Sequence, residues 1–505
     1  MLSEALLSRP YASEGRTGSS RDRRTRSRRP RRYWPRLLLA LAALACATRI
    51  PSFTRPLWNP DEGYLAVQAR MLAHGGSLYE TVVDRKPPLV PWLYEVVFAL
   101  FGSDSLTPVR VCAVLAHLVT AVFLASLARR RWGDTPGRTA GALYLVLSIG
   151  LNPEDTQAAT FEVFMLPWTA AALWCADRRS WGLCGVAIAG AFLTKQTGGA
   201  VLVPAVWLLW RAGWPRSGSV CLAVGSAAPV LVAALLTNPA GFAFWTVTGS
   251  GAYASITGSE LHVLLRGLTN AAILSVACAG VVPPIVRVLR IARTGCADLW
   301  LWLASSAAAV VFGFHFFGHY YLQLVPPVAL LGTLALHILP REHLRRALLA
   351  SSCCAALFLA WGLLAPRTEL AHTERLATAL RERTAPDDRV LIWGMHPETY
   401  WLANREPASR FLTAGLLTNF SGGRDGGGVG ERFAVPGSWA TFRSEVRRRP
   451  PEVVVDDSRG APYGPGRVGS MRRVLAEYRE VARMDGSVVY EHAHAPRHTP
   501  DDGRP

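Results

Sequence analysis

Two short stretches gather the residues best able to do chemistry. "NPDEGYLAVQARMLAHGG", residues 59–76, carries the adjacent carboxylates Asp61 and Glu62. "DRKPPLVPWLY" follows, with Asp84, Arg85 and Lys86 ahead of a double proline. Of 54 lysines and arginines, only Lys86 and Lys195 are lysines. A lysine ammonium is a compact point charge suited to a phosphate, unlike the planar guanidinium fork. A carboxylate beside such a cation is equipped for general-base work. It takes the proton of an attacking hydroxyl while the cation stabilises a departing phosphate. Arg85, Arg110 and Lys195 are further candidates for holding that phosphate. The bland alternative is a helix start, because Asn59-Pro60 reads as a turn and an acid after it suits the first helical turn. Capping accounts for one carboxylate more easily than for two.

The surrounding chain has to hold these groups at a membrane. Half of the 505 residues are hydrophobic, and apolar runs recur between short arginine clusters. About 20 such residues cross a bilayer core, so the pattern reads as a polytopic α-helical membrane protein. Hydropathy predicts eleven spans at about 36–53, 108–128, 138–151, 161–177, 181–195, 197–211, 218–237, 268–291, 298–314, 321–339 and 346–365. An N-terminus in the cytoplasm then puts "ARRRWGDTPGR", "DRRS", "RAGWPR", "RVLRIARTG" and "REHLRR" inside. The arginine-poor "NPEDTQAAT", "TKQTGG", "NPAGFAFWTVTGSGAYASITGSE" and "HFFGHYY" fall outside. This is a positive-inside distribution, and it places the loop 54–107 and everything after 366 on the extracytoplasmic face. A secretory signal ending near Ala45–Ala47 is the alternative for the first apolar run, but the many later spans favour an uncleaved helix.

Four regions are expected: a disordered basic cytoplasmic tail (1–35), a transmembrane domain (36–365), an extracytoplasmic α/β domain (366–492) and a disordered tail (493–505). In the first loop, 61–74 and 89–101 have the apolar spacing of short helices lying on the membrane surface. In the C-terminal region, "RVLIWG" then "HPETYWLANR" reads as strand then helix. "FRSEVRRRPPEVVVDD" reads as helix then strand, and "SMRRVLAEYREVARMDGSVVYEH" repeats that order. The glycine run "SGGRDGGGVG" reads as a flexible loop.

Several function classes fall away. The net charge of +18 sits in "RDRRTRSRRPRR", residues 21–32, and in interhelical loops. That is a topology signal and a contact for anionic lipid, with no nucleic-acid partner implied. Nine scattered cysteines, none after residue 354, read as packing residues. His315 and His319 have i, i+4 spacing, too little for a metal site; no metal ligand is assigned and a divalent ion stays open. No nucleotide-binding loop is visible. A reaction on the outer face therefore needs a donor already carried by the membrane.

The segment "PDEGYLAVQARMLAHGGSLYETVVDRKPPLVPWLYEVVFALFG" resembles the first outward loop of the family 39/83 membrane glycosyltransferases of GT-C type. These include dolichyl-phosphate-mannose–protein mannosyltransferases and bacterial lipid A aminoarabinose transferases. The resemblance continues through "EVFMLPWTAAALWCADRR", "GAFLTKQTGG" and "FFGHYYLQLVPPVALLG", covering most of 37–340. It implies a GT-C-like fold and transfer of a hexose or pentose from a polyprenyl-phosphate donor, usually with inversion. The acceptor would be a hydroxyl on a lipid, cell-wall glycan or protein, outside the plasma membrane. Asp61 matches the catalytic aspartate, supported by Glu62, and Lys86 matches a lysine on the lipid phosphate. His319, Tyr320 and Tyr321 stand where relatives place polar donors near the phosphate. Glu162, Asp84 and Tyr64 are expected at the substrate; Glu162 equally suits a helix N-terminus. One departure is Tyr64, where the aminoarabinose enzymes carry an arginine three positions after the aspartate. The repeat domain of eukaryotic protein mannosyltransferases is not visible either. A transporter or lipid flippase is the rival class. Against it, no repeat relates the halves and the charges sit at the outer ends of spans. A catalytically dead scaffold is the second rival, opposed by the intact Asp61 and Lys86.

Overall fold

The computed structural model describes residues 33–250, 260–291, 296–312, 315–421 and 428–493. Nearly all of the expected tails 1–35 and 493–505, and most of the glycine run 421–430, lie outside the described residues. Each apolar stretch read as a span contains helix, beginning with Tyr33–Thr48 and ending with Arg341–Leu364. Fewer are long. Thr107–Trp132, Arg216–Leu236, Gly318–Ile338 and Arg341–Arg383 are long and apolar enough to cross a membrane; the bent pair Glu260–Ala277 and Val282–Leu289 is a fifth if taken together. Four or five pass by length among the described residues, and Tyr33–Thr48, Leu89–Phe101, Trp181–Thr194 and Ala297–Phe312 are apolar but shorter. Hydropathy cannot see where the backbone turns inside an apolar run. The 3₁₀ segment Gln196–Val201 joins the helices Trp181–Thr194 and Leu202–Arg211, where the expected spans 181–195 and 197–211 divide.

The expected single span 268–291 is broken, with an 88° bend between Ala277 and Val282. Pro283 and Pro284 lack the N–H groups that would continue the helix and clash with the turn before them. Gly280, in the bend, sits where a Cβ would lie 2.6 Å from the Ala347 carbonyl oxygen and 2.7 Å from Ser351 Oγ. The bend therefore packs tightly on the helix Arg341–Leu364.

In the first loop, helices form at Pro60–Ala73 and Leu89–Phe101. The C-terminal part folds around a five-stranded sheet: β1 (Arg389–Trp393), β2 (Glu406–Pro407), β3 (Val453–Asp456), β4 (Tyr478–Met484) and β5 (Ser487–His492). Their order is β2-β1-β3-β5-β4, with β1 parallel to β2 and β3, and β5 antiparallel to β3 and β4. Strand alternation sorts the faces. Val390, Ile392, Val453 and Val455 join the core shared with Tyr400 and Trp401. Leu391, Trp393 and Val454 point the other way, against Trp439 and Phe442 of the helix Ser438–Arg448. The last segment departs from the expected helix then strand. The helix is only Gly469–Leu475, and a β-hairpin follows. Its turn, Asp485-Gly486, has positive φ at both residues (49° and 87°), the hairpin geometry that Asp-Gly favours.

Gly280→Val is expected to destabilise the protein by about 1–3 kcal/mol through overpacking, read as a lower melting temperature in detergent.

Candidate active site

The site is built from two similar turns. Asn59 caps the helix Pro60–Ala73, its side-chain oxygen accepting from the Asp61 amide at 2.9 Å, with Pro60 at the first position. Asn152 caps the short helix Pro153–Thr156 in the same way, accepting from the Glu154 amide at 3.2 Å. The turns touch, since Asn59 Nδ2 donates to the Glu154 carbonyl at 3.3 Å. Each thus presents two acids in its first turn, 61–62 and 154–155.

In each turn one acid belongs to the framework. Glu62 is fully buried. It accepts from Arg110 Nε at 3.1 Å and Nη2 at 2.9 Å, from the Trp58 amide at 2.9 Å and from the Ala159 amide at 2.7 Å. Arg110 spends its remaining N–H groups on the carbonyls of Ser52, Arg55 and Pro56. All five guanidinium protons are taken by protein oxygens, so none is left for a phosphate. The expected phosphate role of Arg110 therefore gives way to a structural clamp, and the support expected of Glu62 takes the form of that clamp beside Asp61. In the second turn it is Glu154 that is tied back, to Arg367.

The other two acids meet at one histidine. Asp155 Oδ1 lies 2.8 Å from His319 Nδ1, and Asp61 Oδ2 lies 3.7 Å from Nε2. With Nδ1–H given to Asp155, Nε2 faces Asp61 as an acceptor when the ring is neutral and a donor when it is protonated. His319 is buried, whereas the Asp61 side chain is 42% exposed. Asp61 is thus the acid an incoming substrate can reach. Gly318 makes the arrangement possible, because a Cβ there would fall 2.1 Å from Asp155 Oδ2. Phe317 stacks on the His319 ring, centroids 5.7 Å apart and planes 5° apart, and the Arg266 guanidinium lies 4.4 Å from the Phe317 centroid.

Behind this layer, Glu162 and Lys195 form a buried ion pair, and Lys195 Nζ sits 3.6 Å from the Tyr320 ring centroid. Tyr320 meets His319 edge-on at 5.0 Å. Lys86 is only half-buried, with Nζ 5.7 Å from the Phe161 ring centroid. Its charge acts on Asp84, Glu162 and Lys195. The structure therefore brings Asp61, Lys86, Glu162, Lys195, His319 and Tyr320 into one electrostatic neighbourhood. Of its two lysines, Lys86 is the one open to a ligand.

Other expected residues serve the loop. Tyr64 donates its hydroxyl to the Val83 carbonyl at 3.0 Å. Arg85 is half-buried, and its carbonyl accepts from Gln196 at 2.6 Å. Tyr321 turns away from His319 and donates to the Gly267 carbonyl at 2.8 Å. Asp84 is buried and accepts from Gln68 at 3.2 Å. Burial pushes its carboxyl up to about 6, against the pull of Lys86 and the Gln68 hydrogen bond. Among the described residues, no three histidine, cysteine, aspartate or glutamate side chains are placed to hold a metal ion.

Asp155, Gly318 and Arg266 were not singled out from the sequence. A signal for the first was present: "NPED" at 152–155 echoes "NPDE" at 59–62.

With this geometry in view, known proteins can be compared. Residues 85–241 match the family described as dolichyl-phosphate-mannose-protein mannosyltransferase. The chain is 31% identical over 228 residues to an undecaprenyl phosphate-alpha-4-amino-4-deoxy-L-arabinose arabinosyl transferase of Pseudomonas paraeruginosa, covering 41% of this chain and 40% of that one. It is 31% identical over 169 residues to the lipid A galacturonosyltransferase RgtD of Rhizobium johnstonii, covering 30% and 34%. Among solved structures, apo ArnT from Cupriavidus metallidurans superposes with a TM-score of 0.62, covering 90% of this chain and 97% of that one at 18% identity. The chain therefore has the GT-C fold of that enzyme, and its family match is confined to residues 85–241. An Archaeoglobus fulgidus oligosaccharyltransferase complex shares the fold at a TM-score of 0.53, covering 90% and 73% at 13% identity. The matched segment spans 40% of the length of the first curated relative. The family match takes in Lys86, Arg110, Asp155, Glu162 and Lys195, and begins after Asp61.

Two outcomes follow from the buried charges of this site. Arg110→Met leaves Glu62 buried without its partner and is expected to cost about 3–5 kcal/mol; adding Glu62→Met should recover part of that in thermal unfolding. For Asp84, the folded state holds the proton more tightly than the unfolded chain. Stability should therefore fall as pH rises from about 4 to about 6, and Asp84→Asn should flatten that slope in melting curves.

Proposed function

We propose that the chain is an inverting membrane glycosyltransferase that moves a sugar from a polyprenyl-phosphate donor to an acceptor hydroxyl. The donor and the reaction class are supported by the names of the matched relatives, which act with undecaprenyl-phosphate sugars or on lipid A. The observation that carries the reading to particular residues is the reachable Asp61, 3.7 Å from His319 and flanked by buried, engaged acids.

The acceptor oxygen attacks the anomeric carbon, and its proton passes to Asp61. The bond from that carbon to the phosphate oxygen breaks, and the electron pair leaves with polyprenyl phosphate. Lys86 faces the growing phosphate charge. Lys195 is held in its ion pair with Glu162 behind Tyr320 and is not available to swing toward the phosphate. His319, oriented by Asp155, keeps Asp61 aligned and shares its proton. Electrostatic stabilisation of this kind operates where water is scarce, so the buried layer behind Asp61 strengthens it. The acceptor is a lipid, a cell-wall glycan or a protein. The site and the C-terminal unit face outward from the plasma membrane, as the arginine distribution of the loops supports.

Asp61→Asn keeps the shape and removes the base, so transfer should drop about 10²–10⁴-fold with expression unchanged. The measurement is mass spectrometry of lipids, glycans and secreted proteins from cells carrying either form. Near-normal product from the variant would reject Asp61 as the base. Movement of substrate across vesicles with no glycosidic product would favour a transporter.

A further inference from the structure

We infer that the C-terminal α/β unit is part of the catalytic apparatus: through Arg367 it fixes the distance between the two acidic turns, and through the helix Glu398–Ala403 it seats the helix that bears Asp61. This rests on the reading of Asp61 as the base.

The first contact is at the join between the membrane part and the sheet. Arg367 pairs with Glu154, the neighbour of Asp155, and its guanidinium lies 4.6 Å from the Trp58 ring centroid. Trp58 in turn donates its amide to Glu62, the neighbour of Asp61. One side chain therefore touches both turns, the second directly through Glu154 beside Asp155 and the first through Trp58, which is bonded to Glu62 beside Asp61. Arg55 reinforces the join by donating to the Ala365 carbonyl at 3.0 Å.

The second contact is on the helix Pro60–Ala73 itself. Gly63, two residues from Asp61, lies so close to the C-terminal unit that a Cβ there would meet Glu398 Cβ at 2.2 Å and Cα at 2.6 Å. Backbone meets backbone at this point, and no side chain fits between them. Further along, Arg70 donates to the Trp401 carbonyl at 3.2 Å and to the Ser103 carbonyl at 3.0 Å. Trp401 Nε1 donates to the same Ser103 carbonyl at 3.0 Å. The Asp61 helix is thus held by the C-terminal unit both near its start and near its end.

These contacts converge on the pair of distances around His319. A shift of Glu154 moves Asp155, and a shift of Gly63 moves Asp61. A displacement of about 1 Å at a reacting group costs on the order of 10²-fold in rate. Arg367 is accordingly a positioning residue for a reaction in which it touches neither substrate nor reacting atom.

The test uses the full chain in nanodiscs, supplied with donor lipid and acceptor extracted from membranes of the source cells, with product followed by mass spectrometry. Undecaprenyl phosphate serves as the binding probe. Arg367→Met is expected to lower the initial rate about 10²-fold and to change the pH–rate profile, because the neighbours of His319 move. Undecaprenyl phosphate affinity should stay within about threefold, since Lys86 is untouched. Arg367→Lys should restore much of the rate. Glu154→Gln, which opens the same contact from the other side while keeping shape, should reproduce the defect, and the double variant should add little to either. A rate within twofold of the parent for a folded Arg367→Met or Glu154→Gln chain, beside an inactive Asp61→Asn chain, would overturn the positioning role alone. An active Asp61→Asn chain would overturn the reading of the site on which that role rests.

Discussion

Glu62 and Arg110 form the interaction on which the rest of the site depends. A carboxylate and a guanidinium are buried together, and each of their polar atoms is answered by a protein group. Such a pair adds little net stability over an apolar one, because removing both charges from water costs nearly what their attraction returns. What it contributes is uniqueness. The five protons of Arg110 reach oxygens of residues 52, 55, 56 and 62, and Glu62 adds the amides of Trp58 and Ala159. One ion pair therefore ties the end of the first apolar run, the start of the Asp61 helix and the turn before Phe161. Any other path for the first loop would leave a buried charge unanswered.

The two Asn-Pro-acid-acid turns divide labour in opposite senses. After Asn59 the first acid faces the site and the second is built in; after Asn152 the first is built in and the second faces the site. The shared capping pattern gives both turns the same local backbone, with consecutive acids pointing in different directions from the helix axis. Their partners, Arg110 and Arg367, come from a membrane helix and from the start of the C-terminal unit.

Much of this was legible in the sequence, and the failures have physical causes. The prominence of Asp61, Lys86 and Lys195 followed from charge beside apolar runs and from the scarcity of lysine, while Glu162 and His319 entered through the family resemblance; the structure gathers all five. Local pattern also gave the helices at 60–73 and 89–101 and the strands β1 and β3. Glu62 and Arg110 looked like chemistry because a one-dimensional reading sees charge and not who answers it. Pairing across 48 positions is invisible to periodicity. The bend at Gly280 and the Asp485-Gly486 hairpin were misread for the opposite reason. Their signals, a double proline and an Asp-Gly dipeptide, were present but were outweighed by the apolar or helical run around them. Asp155 was passed over because its role is set by His319, 164 residues away.

The scarcity of lysine has a practical consequence. Apart from the chain terminus, the protein owns two primary amines, Lys86 and Lys195. Lys86 is partly open; Lys195 is sealed in its pair with Glu162 beneath the Tyr320 ring. An acylating reagent therefore finds a single reactive position in the folded interior, beside the acids that define the site. Covalent tagging of that amine, and its protection by a phosphate-bearing lipid, turns an accident of composition into a reporter of occupancy.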